Sequence, residues 1–233
     1  MAKLGVIGAM DIEVATLKEK MEGMTVRTIA GSAYCEGMLE GMQVVVVQCG
    51  VGKVNAALCA QILCSCFGVT HIVNTGIAGS LNAKLDIGDF VISTDAIYHD
   101  MDATNFGYPM CQVPGMSVLS FPADEALAEL AYRVADEIHP GHVCRGRVAT
   151  GDQFVADKAL KDRIIHHTGA YCTEMEGAAI AHTAWKNSVP FVIIRAISDK
   201  ADDSAQMDYP TFEAQAAERC ANVTQALAKY LSK

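Results

Sequence analysis

Cys172-Thr173-Glu174-Met175-Glu176-Gly177-Ala178-Ala179-Ile180-Ala181 and, after one helix's length of chain, Phe191-Val192-Ile193-Ile194-Arg195-Ala196-Ile197-Ser198-Asp199 decide how this sequence is read. The first run predicts a short strand over 170–173 that passes through two carboxylates flanking a methionine into a helix over 177–187. The second predicts a strand over 189–197. Its apolar run is broken only by Arg195, so it belongs in a sheet covered on both faces. Strand, helix and strand in succession are the unit of a layered α/β domain. The unit also sets acids at a helix start and at a strand end, where they can converge on one pocket.

Upstream the same alternation repeats. Residues 3–8 predict a strand and 11–21 a helix, with Val14, Leu17 and Met21 on one face and Glu13 in the first turn. Residues 37–41 read as a turn. The valine-rich stretch 42–49 is too apolar to be half exposed and predicts a central strand. Gly50-Val51-Gly52-Lys53 turns into a helix over 54–66. It resembles a phosphate loop only in part, because Val47 and Val54 stand where the Walker pattern needs Gly and Ser or Thr. The bland reading is a connection whose glycines let backbone approach something nearby. Residues 71–75 predict a strand, and Gly76-Ile77-Ala78-Gly79 puts small residues at its carboxyl end, where open α/β sheets bind ligands. A strand over 88–96 leads to a loop through 99–115, long enough to be functional or a partner contact. Residues 122–138 predict the most amphipathic helix, with Leu127, Leu130, Ala131, Val134 and Ile138 on one face. A strand over 145–149, a helix over 157–168 and an alanine-rich helix over 211–231 complete the chain. With no repeat, linker or low-complexity tract, residues 1–233 read as a single α/β/α layered domain.

Hydrophobic residues make up 51% of the 233 and charged residues 19%, and the net charge is −9. A chain this long buries a sizeable core. Its acidity argues against a nucleic-acid backbone as partner, since no basic stripe exists to displace counterions, yet leaves an uncharged nucleoside open. No apolar run approaches the roughly 18 residues of a membrane span, and the start of the chain carries no signal-peptide pattern. Nine cysteines at scattered positions, several inside apolar runs and none in a C-x-x-C pair, argue for reduced thiols and a cytoplasmic location. Cys64 and Cys66, two apart on a helix, point to different faces, so no metal site is expected.

Three acids lie at element ends rather than on a solvated face: Glu13, Glu176 and Asp199. Ordinary helix capping accounts for Glu13 equally well, and a buried pair with Arg195 is the structural alternative for Asp199. Glu176 lies among Cys172, Met175, Ala178 and Ala179, where a carboxylate needs hydrogen-bond partners or a ligand. If the three converge, they suit a glycosidic bond broken through an oxocarbenium-like state, with an acid on the leaving group and a base on water. Asp199 would then need its pKa raised from about 3.9, which desolvation at an apolar strand end supplies. Ser198 would orient the carboxyl, and Phe154 offers a face for a flat ring.

Taken in order, Gly5-Val6-Ile7-Gly8-Ala9-Met10 with Glu13, Gly50-Val51-Gly52-Lys53, Asn74-Thr75-Gly76, Tyr98-His99-Asp100, Phe106-Gly107-Tyr108, Gly151-Asp152, Glu174-Met175-Glu176 and Arg195-Ala196-Ile197-Ser198-Asp199 resemble the bacterial 5′-methylthioadenosine/S-adenosylhomocysteine nucleosidases of the purine nucleoside phosphorylase superfamily. The resemblance covers essentially the whole chain. It implies a three-layer α/β/α sandwich around a mixed central sheet, a homodimer, and hydrolysis of the adenine N-glycosidic bond of 5′-methylthioadenosine, S-adenosylhomocysteine and 5′-deoxyadenosine, in methionine salvage and the methyl cycle. No cofactor or metal is implied.

By position, the resemblance makes Asp199 the general acid on adenine N7, assisted by Ser198, and has Glu13 activate water with Arg195 nearby. Glu176 would bind the ribose hydroxyls and Met175 pack on the sugar. Phe154 would stack on the base while the backbone of Val155 reads its edge. Glu174, Ile77, Ala78 and Gly79 would complete the wall, Glu174 as the structural member of the acidic pair. The 5′-alkylthio pocket would use Met10, Val51 and Tyr209, with Phe106, Tyr108 and Pro114 from the 99–115 loop, part of it supplied by the dimer mate. Three positions depart from the pattern: Ile77 where Ser is common, Ala103 where a larger apolar residue is common, and Tyr209 where Phe is common. Of Ile77, only the backbone N–H could serve a water. The rival readings are a phosphorolytic purine nucleoside phosphorylase, a futalosine-type nucleoside hydrolase, and a non-catalytic nucleoside-binding relative. Glu13 and the lack of arginine in 1–24 and 76–98 disfavour phosphate, and the presence of all three acids disfavours a non-catalytic relative.

Overall fold

The computed structural model describes residues 2–202 and 204–232. Ten strands form one mixed sheet: β1 Lys3–Gly8, β2 Glu22–Ile29, β3 Ser32–Leu39, β4 Met42–Gln48, β5 His71–Ser80, β6 Phe90–Tyr98, β7 Phe121–Pro122, β8 Val143–Thr150, β9 Cys172–Glu174 and β10 Phe191–Asp199. Among the described residues six α-helices cover it: α1 Asp11–Glu19, α2 Lys53–Phe67, α3 Glu125–Ile138, α4 Lys158–Thr168, α5 Gly177–Lys186 and α6 Ala205–Leu231.

Side chains alternate across a strand, and Val44-Val45-Val46-Val47 of β4 show what that does here. Val44 and Val46, with Leu4 and Val6 of β1, meet one core that includes α1, α3 and α6 residues. Val45 and Val47, with Ile7, meet a second core shared with α2 and α5. The strand is therefore buried on both faces, as its valines predict, and the layers are helix, sheet, helix. A smaller third core joins Ile97 and Ala149 to Val155 and Ile164 near α4.

The sheet also closes on itself. β5 pairs in parallel with β10 and antiparallel with β9; β10 pairs with β6, β6 with β8 and β8 with β9. Five strands thus make a ring, and β1, β4, β3 and β2 extend from β5 as an open wing. The carboxyl ends of β5 and β10 lie side by side in the ring, with Gly76 opposite Arg195 and Gly79 opposite Asp199.

Several boundaries differ from the sequence reading. Residues 37–39 are strand, and the turn is Glu40-Gly41, both at positive φ (52° and 82°). Ala30-Gly31 (50° and 83°) repeats the device between β2 and β3. Positive φ at both central residues is what a two-residue hairpin needs. β5 runs to Ser80 because β10 pairs with Gly76–Gly79 and β9 with Gly79 and Ser80. Phe121 and Pro122 belong to β7 on the β6 edge, so α3 starts only after Asp124, whose side chain caps it by accepting from the Leu127 N–H at 2.9 Å. α6 begins at Ala205 and carries Pro210 inside it, so Tyr209 is on a helix rather than in the approach to one.

Candidate active site

A cleft with about 480 Å³ of empty space, partly open to solvent, lies where the carboxyl ends of β5, β9 and β10 meet the first turn of α1. Its walls include Met10, Glu13, Val51, Ile77, Ala78, Gly79, Phe154, Glu174, Met175, Glu176, Ser198, Asp199 and Tyr209. The three acids singled out from sequence therefore face one space, and no Lys or Arg is among the described lining residues. Val155 borders an adjoining lobe of about 250 Å³ that shares Gly79, Phe154, Thr173, Glu174, Met175 and Asp199 with the main cleft.

Glu13 is 2% exposed. One carboxylate oxygen accepts from the Ala9 N–H (2.7 Å) and the Met10 N–H (2.9 Å), so the residue does cap its helix; the other accepts from the Ile77 N–H at 3.0 Å. The Ile77 N–H is thus already engaged by Glu13. Burial lifts the Glu13 pKa above the ordinary carboxylate value, opposed by the Arg195 guanidinium and these three N–H groups. Gly76 leaves the necessary space: a Cβ there would lie 2.2 Å from Glu13 Oε1 and 2.3 Å from Arg195 Nη1.

Arg195 is buried behind the wall rather than in it. Its Nη2 donates to Asn74 Oδ1 at 2.5 Å and to Glu174, and lies 3.9 Å from Glu176 Oε2. The surrounding acids raise its pKa against the effect of burial. The structural alternative of an Arg195–Asp199 pair is replaced by an Arg195–Glu174 pair. Glu174 is further held by the Glu176 N–H (3.1 Å), the Gly177 N–H (2.7 Å) and the Thr150 hydroxyl, which in turn accepts from the Ala178 N–H at 2.7 Å. Its acceptor positions are taken up by the protein. Glu176, at the start of α5, has one oxygen bound by the Gly52 N–H at 2.9 Å. The glycines of 50–53 thus bring backbone to this carboxylate. Burial first, and the neighbouring Glu174 second, push the Glu176 pKa up to about 7.

Asp199, 2% exposed, has unlike surroundings. Ser198 Oγ donates to Oδ2 at 2.8 Å and the Ala201 N–H to Oδ1 at 2.8 Å. Burial raises its pKa, with those two hydrogen bonds opposing. Gly79 keeps this carboxyl accessible, since a Cβ there would lie 2.8 Å from Oδ1. Phe154, half exposed, meets the Tyr209 ring edge-on at 5.5 Å between centroids, and the Tyr209 hydroxyl donates to Met10 Sδ at 3.2 Å. These contacts gather one apolar end of the cleft.

Phe106, Tyr108, Pro114 and Ala103 are not among the residues lining this chain's own cleft. Phe106 is 83% exposed, Pro114 exposed, Tyr108 half-buried and Ala103 buried. The sequence reading missed Thr173 and Ala9, which also line the cleft, and the supporting roles of Asn74 and Thr150. Asn74 carried a usable signal, a polar residue inside an apolar strand. Thr173 was visible only as the strand residue preceding Glu174. Among the described residues no group of three or more His, Cys, Asp or Glu could hold a metal ion, and no helix is long and apolar enough to cross a membrane.

Comparisons with known proteins place the chain in a family. The profile of the Phosphorylase superfamily matches residues 3–229. A protein of Anoxybacillus flavithermus named 5′-methylthioadenosine/S-adenosylhomocysteine nucleosidase is 40% identical over 231 residues, covering 99% of both chains. The crystal structure of the nucleosidase of that name from Neisseria meningitidis, in complex with methylthio-immucillin-A, is 37% identical with a TM-score of 0.95, over 99% of this chain and all of the other. The futalosine hydrolase of Helicobacter pylori is 30% identical with a TM-score of 0.93, over 98% of each chain.

Proposed function

The chain belongs to the phosphorylase superfamily and, within it, to the 5′-methylthioadenosine/S-adenosylhomocysteine nucleosidases, and on that premise we propose how its cleft hydrolyses the adenine N-glycosidic bond of such nucleosides. The observation that carries the reading is that two buried carboxyls with unlike surroundings, Glu13 and Asp199, face one cleft. Pairs of titratable groups in contrasting environments mark acid and base assignments.

Asp199 is the general acid. Burial lifts its pKa above the ordinary carboxylate value and so favours the protonated form, and that proton goes to N7 of the base as the bond to the sugar lengthens. The Ser198 hydroxyl holds one oxygen of the carboxyl and aims the other. Glu13 is the base: three N–H groups fix its carboxylate, and a water on it attacks the sugar carbon as positive charge develops there. A base whose pKa lies nearer the working pH takes a proton more readily. Glu176 binds the ribose hydroxyls and gains strength as the sugar becomes cationic. Arg195 fixes Glu174, which in turn holds the backbone of Glu176 and Gly177. Met175 packs on the sugar, Phe154 and the Val155 backbone take the base, and Met10, Val51 and Tyr209 take the 5′ substituent.

The described lining residues offer no cation to an attacking phosphate, and Glu13 would repel it. The enzyme incubated with 5′-methylthioadenosine, with and without inorganic phosphate, should release adenine at the same rate and give free methylthioribose. Formation of methylthioribose-1-phosphate would overturn the hydrolytic reading. The likeness to futalosine hydrolase favours a second reading, a futalosine-type nucleoside as substrate, and the same assay run on that nucleoside ranks the two.

The homodimer is part of the proposal. Val51, Val54 and Leu58 are exposed apolar residues on and just before one face of α2, and Phe106 is exposed on the 99–115 loop. Covering them with a second copy would bring Phe106, Tyr108 and Pro114 to the neighbouring cleft, in a cytoplasmic enzyme.

A further inference from the structure

Thr173 has no role in the assignments above, yet it borders both the main cleft and its adjoining lobe. It is 5% exposed, and its hydroxyl has no hydrogen-bond partner among the described residues. A buried hydroxyl without a partner is destabilising and calls for a reason. Its place is defined by strand pairing: β9 is held between β5 and β8, with Thr173 opposite Gly79 on one side and Ala149 on the other. The lobe it shares with Phe154, Val155, Gly79 and Asp199 is the seat given above to the base, on whose remaining edge a hydroxyl could act.

We propose that Thr173 is a substrate-contacting residue whose hydroxyl donates a hydrogen bond to N3 of the purine. The proposal rests on the function given above and deepens it. N7 is taken by Asp199 and the outer edge by the Val155 backbone, which leaves N3 as the free ring acceptor. N3 is also on the sugar side of the base, and Thr173 directly precedes Glu174-Met175-Glu176, the wall given to the ribose. As the glycosidic bond breaks, its electron pair moves into the purine and N3 becomes a stronger acceptor. A donor there therefore binds the departing base better than the substrate, which favours the chemical step.

The test uses Thr173→Val, which keeps the shape and deletes the hydroxyl, and Thr173→Ser, which keeps the hydroxyl. Each is compared with wild type on 5′-methylthioadenosine and on its 3-deaza analogue, in which C–H replaces N3. We expect T173V to lose about tenfold in kcat on the natural nucleoside and less than about twofold on the analogue, with T173S close to wild type on both, the size of one hydrogen bond to a charge-gaining acceptor. Without ligand, T173V should melt about 2–4 °C higher than wild type, because an unpaired buried hydroxyl has gone. An equal loss on both nucleosides, or no loss on either, overturns the Thr173 assignment while the nucleosidase reading stands. Failure of wild type to release adenine from any nucleoside overturns both.

Discussion

At one end of the cleft, Glu13, Glu174 and Glu176 gather about a single buried guanidinium, Arg195. At the other end, Asp199 forms no ion pair among the described residues and is held by one hydroxyl and one backbone N–H. The carboxyls at both ends are buried, and burial is the leading upward influence on Glu13, Glu176 and Asp199 alike. The difference lies in what opposes it. A cation favours the ionised form across the first cluster, whereas neutral donors alone oppose protonation of Asp199. Carboxyls that read alike in the sequence are thereby separated into a cluster that shares one cation, in which Glu174 still helps lift Glu176 to about 7, and a single carboxyl, Asp199, that faces none among the described residues.

Substitutions at the two ends should therefore fail differently. The largest effect is expected from Asp199→Asn, which removes the proton and little else: kcat for adenine release should fall by about 10²–10⁴-fold, with a melting temperature at or above wild type. Next, Arg195→Met should act through stability, since it leaves Glu174 buried without its cation; chemical denaturation should show a loss of about 3–5 kcal/mol. If R195M were as stable as wild type, the acid cluster would not depend on its cation.

A smaller effect is expected from paired glycine variants. Gly76→Ala intrudes on Glu13 and Arg195, and Gly79→Ala on Asp199 and Ala201. Each should lower kcat by about tenfold or more by displacing its carboxyl, a misplacement of the kind that costs enzymes heavily. G76A should also lower the melting temperature more than G79A, because it presses on an ion pair.

The smallest effect concerns pH. Glu176 has a folded pKa of about 7, above its ordinary value of 4.5. The folded state therefore holds the proton more tightly than the unfolded chain, and folding stability from this group falls as pH rises from about 4.5 through about 7. Glu176→Gln should lie close to wild type in thermal melts at pH 5 and exceed it by several degrees at pH 8. Equal melting curves at both pH values would remove Glu176 from this account.

The acids could be read from sequence because each stands at the end of an apolar element, where a charge has no ordinary surface to occupy. The valine run of β4 was legible for the same reason: a strand with two dry faces needs no alternation. What escaped was set by pairing. Strand β2 is exposed along nearly its whole length, so it shows no pattern of burial, and the turn that joins it to β3, Ala30-Gly31, lacks the usual Asn or Asp before glycine. Residues 76–79 looked like a strand's end and are its continuation, because β10 pairs alongside them. The last helix, expected over 211–231, starts earlier, at Ala205, and runs through Pro210. The ring closure of β5, β10, β6, β8 and β9 depends on five pairings between residues far apart in the chain, which local periodicity does not encode.

The division of labour between the two ends is tested most directly by changing the leaving group. Asp199→Asn and Glu13→Gln should each be assayed on 5′-methylthioadenosine and on a p-nitrophenyl 5-methylthioriboside, whose phenolate departs without a proton. D199N should lose about 10²–10⁴-fold on the nucleoside and stay within about tenfold of wild type on the phenolate substrate. E13Q should lose heavily on both, because both need the water. An equally large loss for D199N on both substrates would contradict the assignment of Asp199 as the group that protonates the departing base.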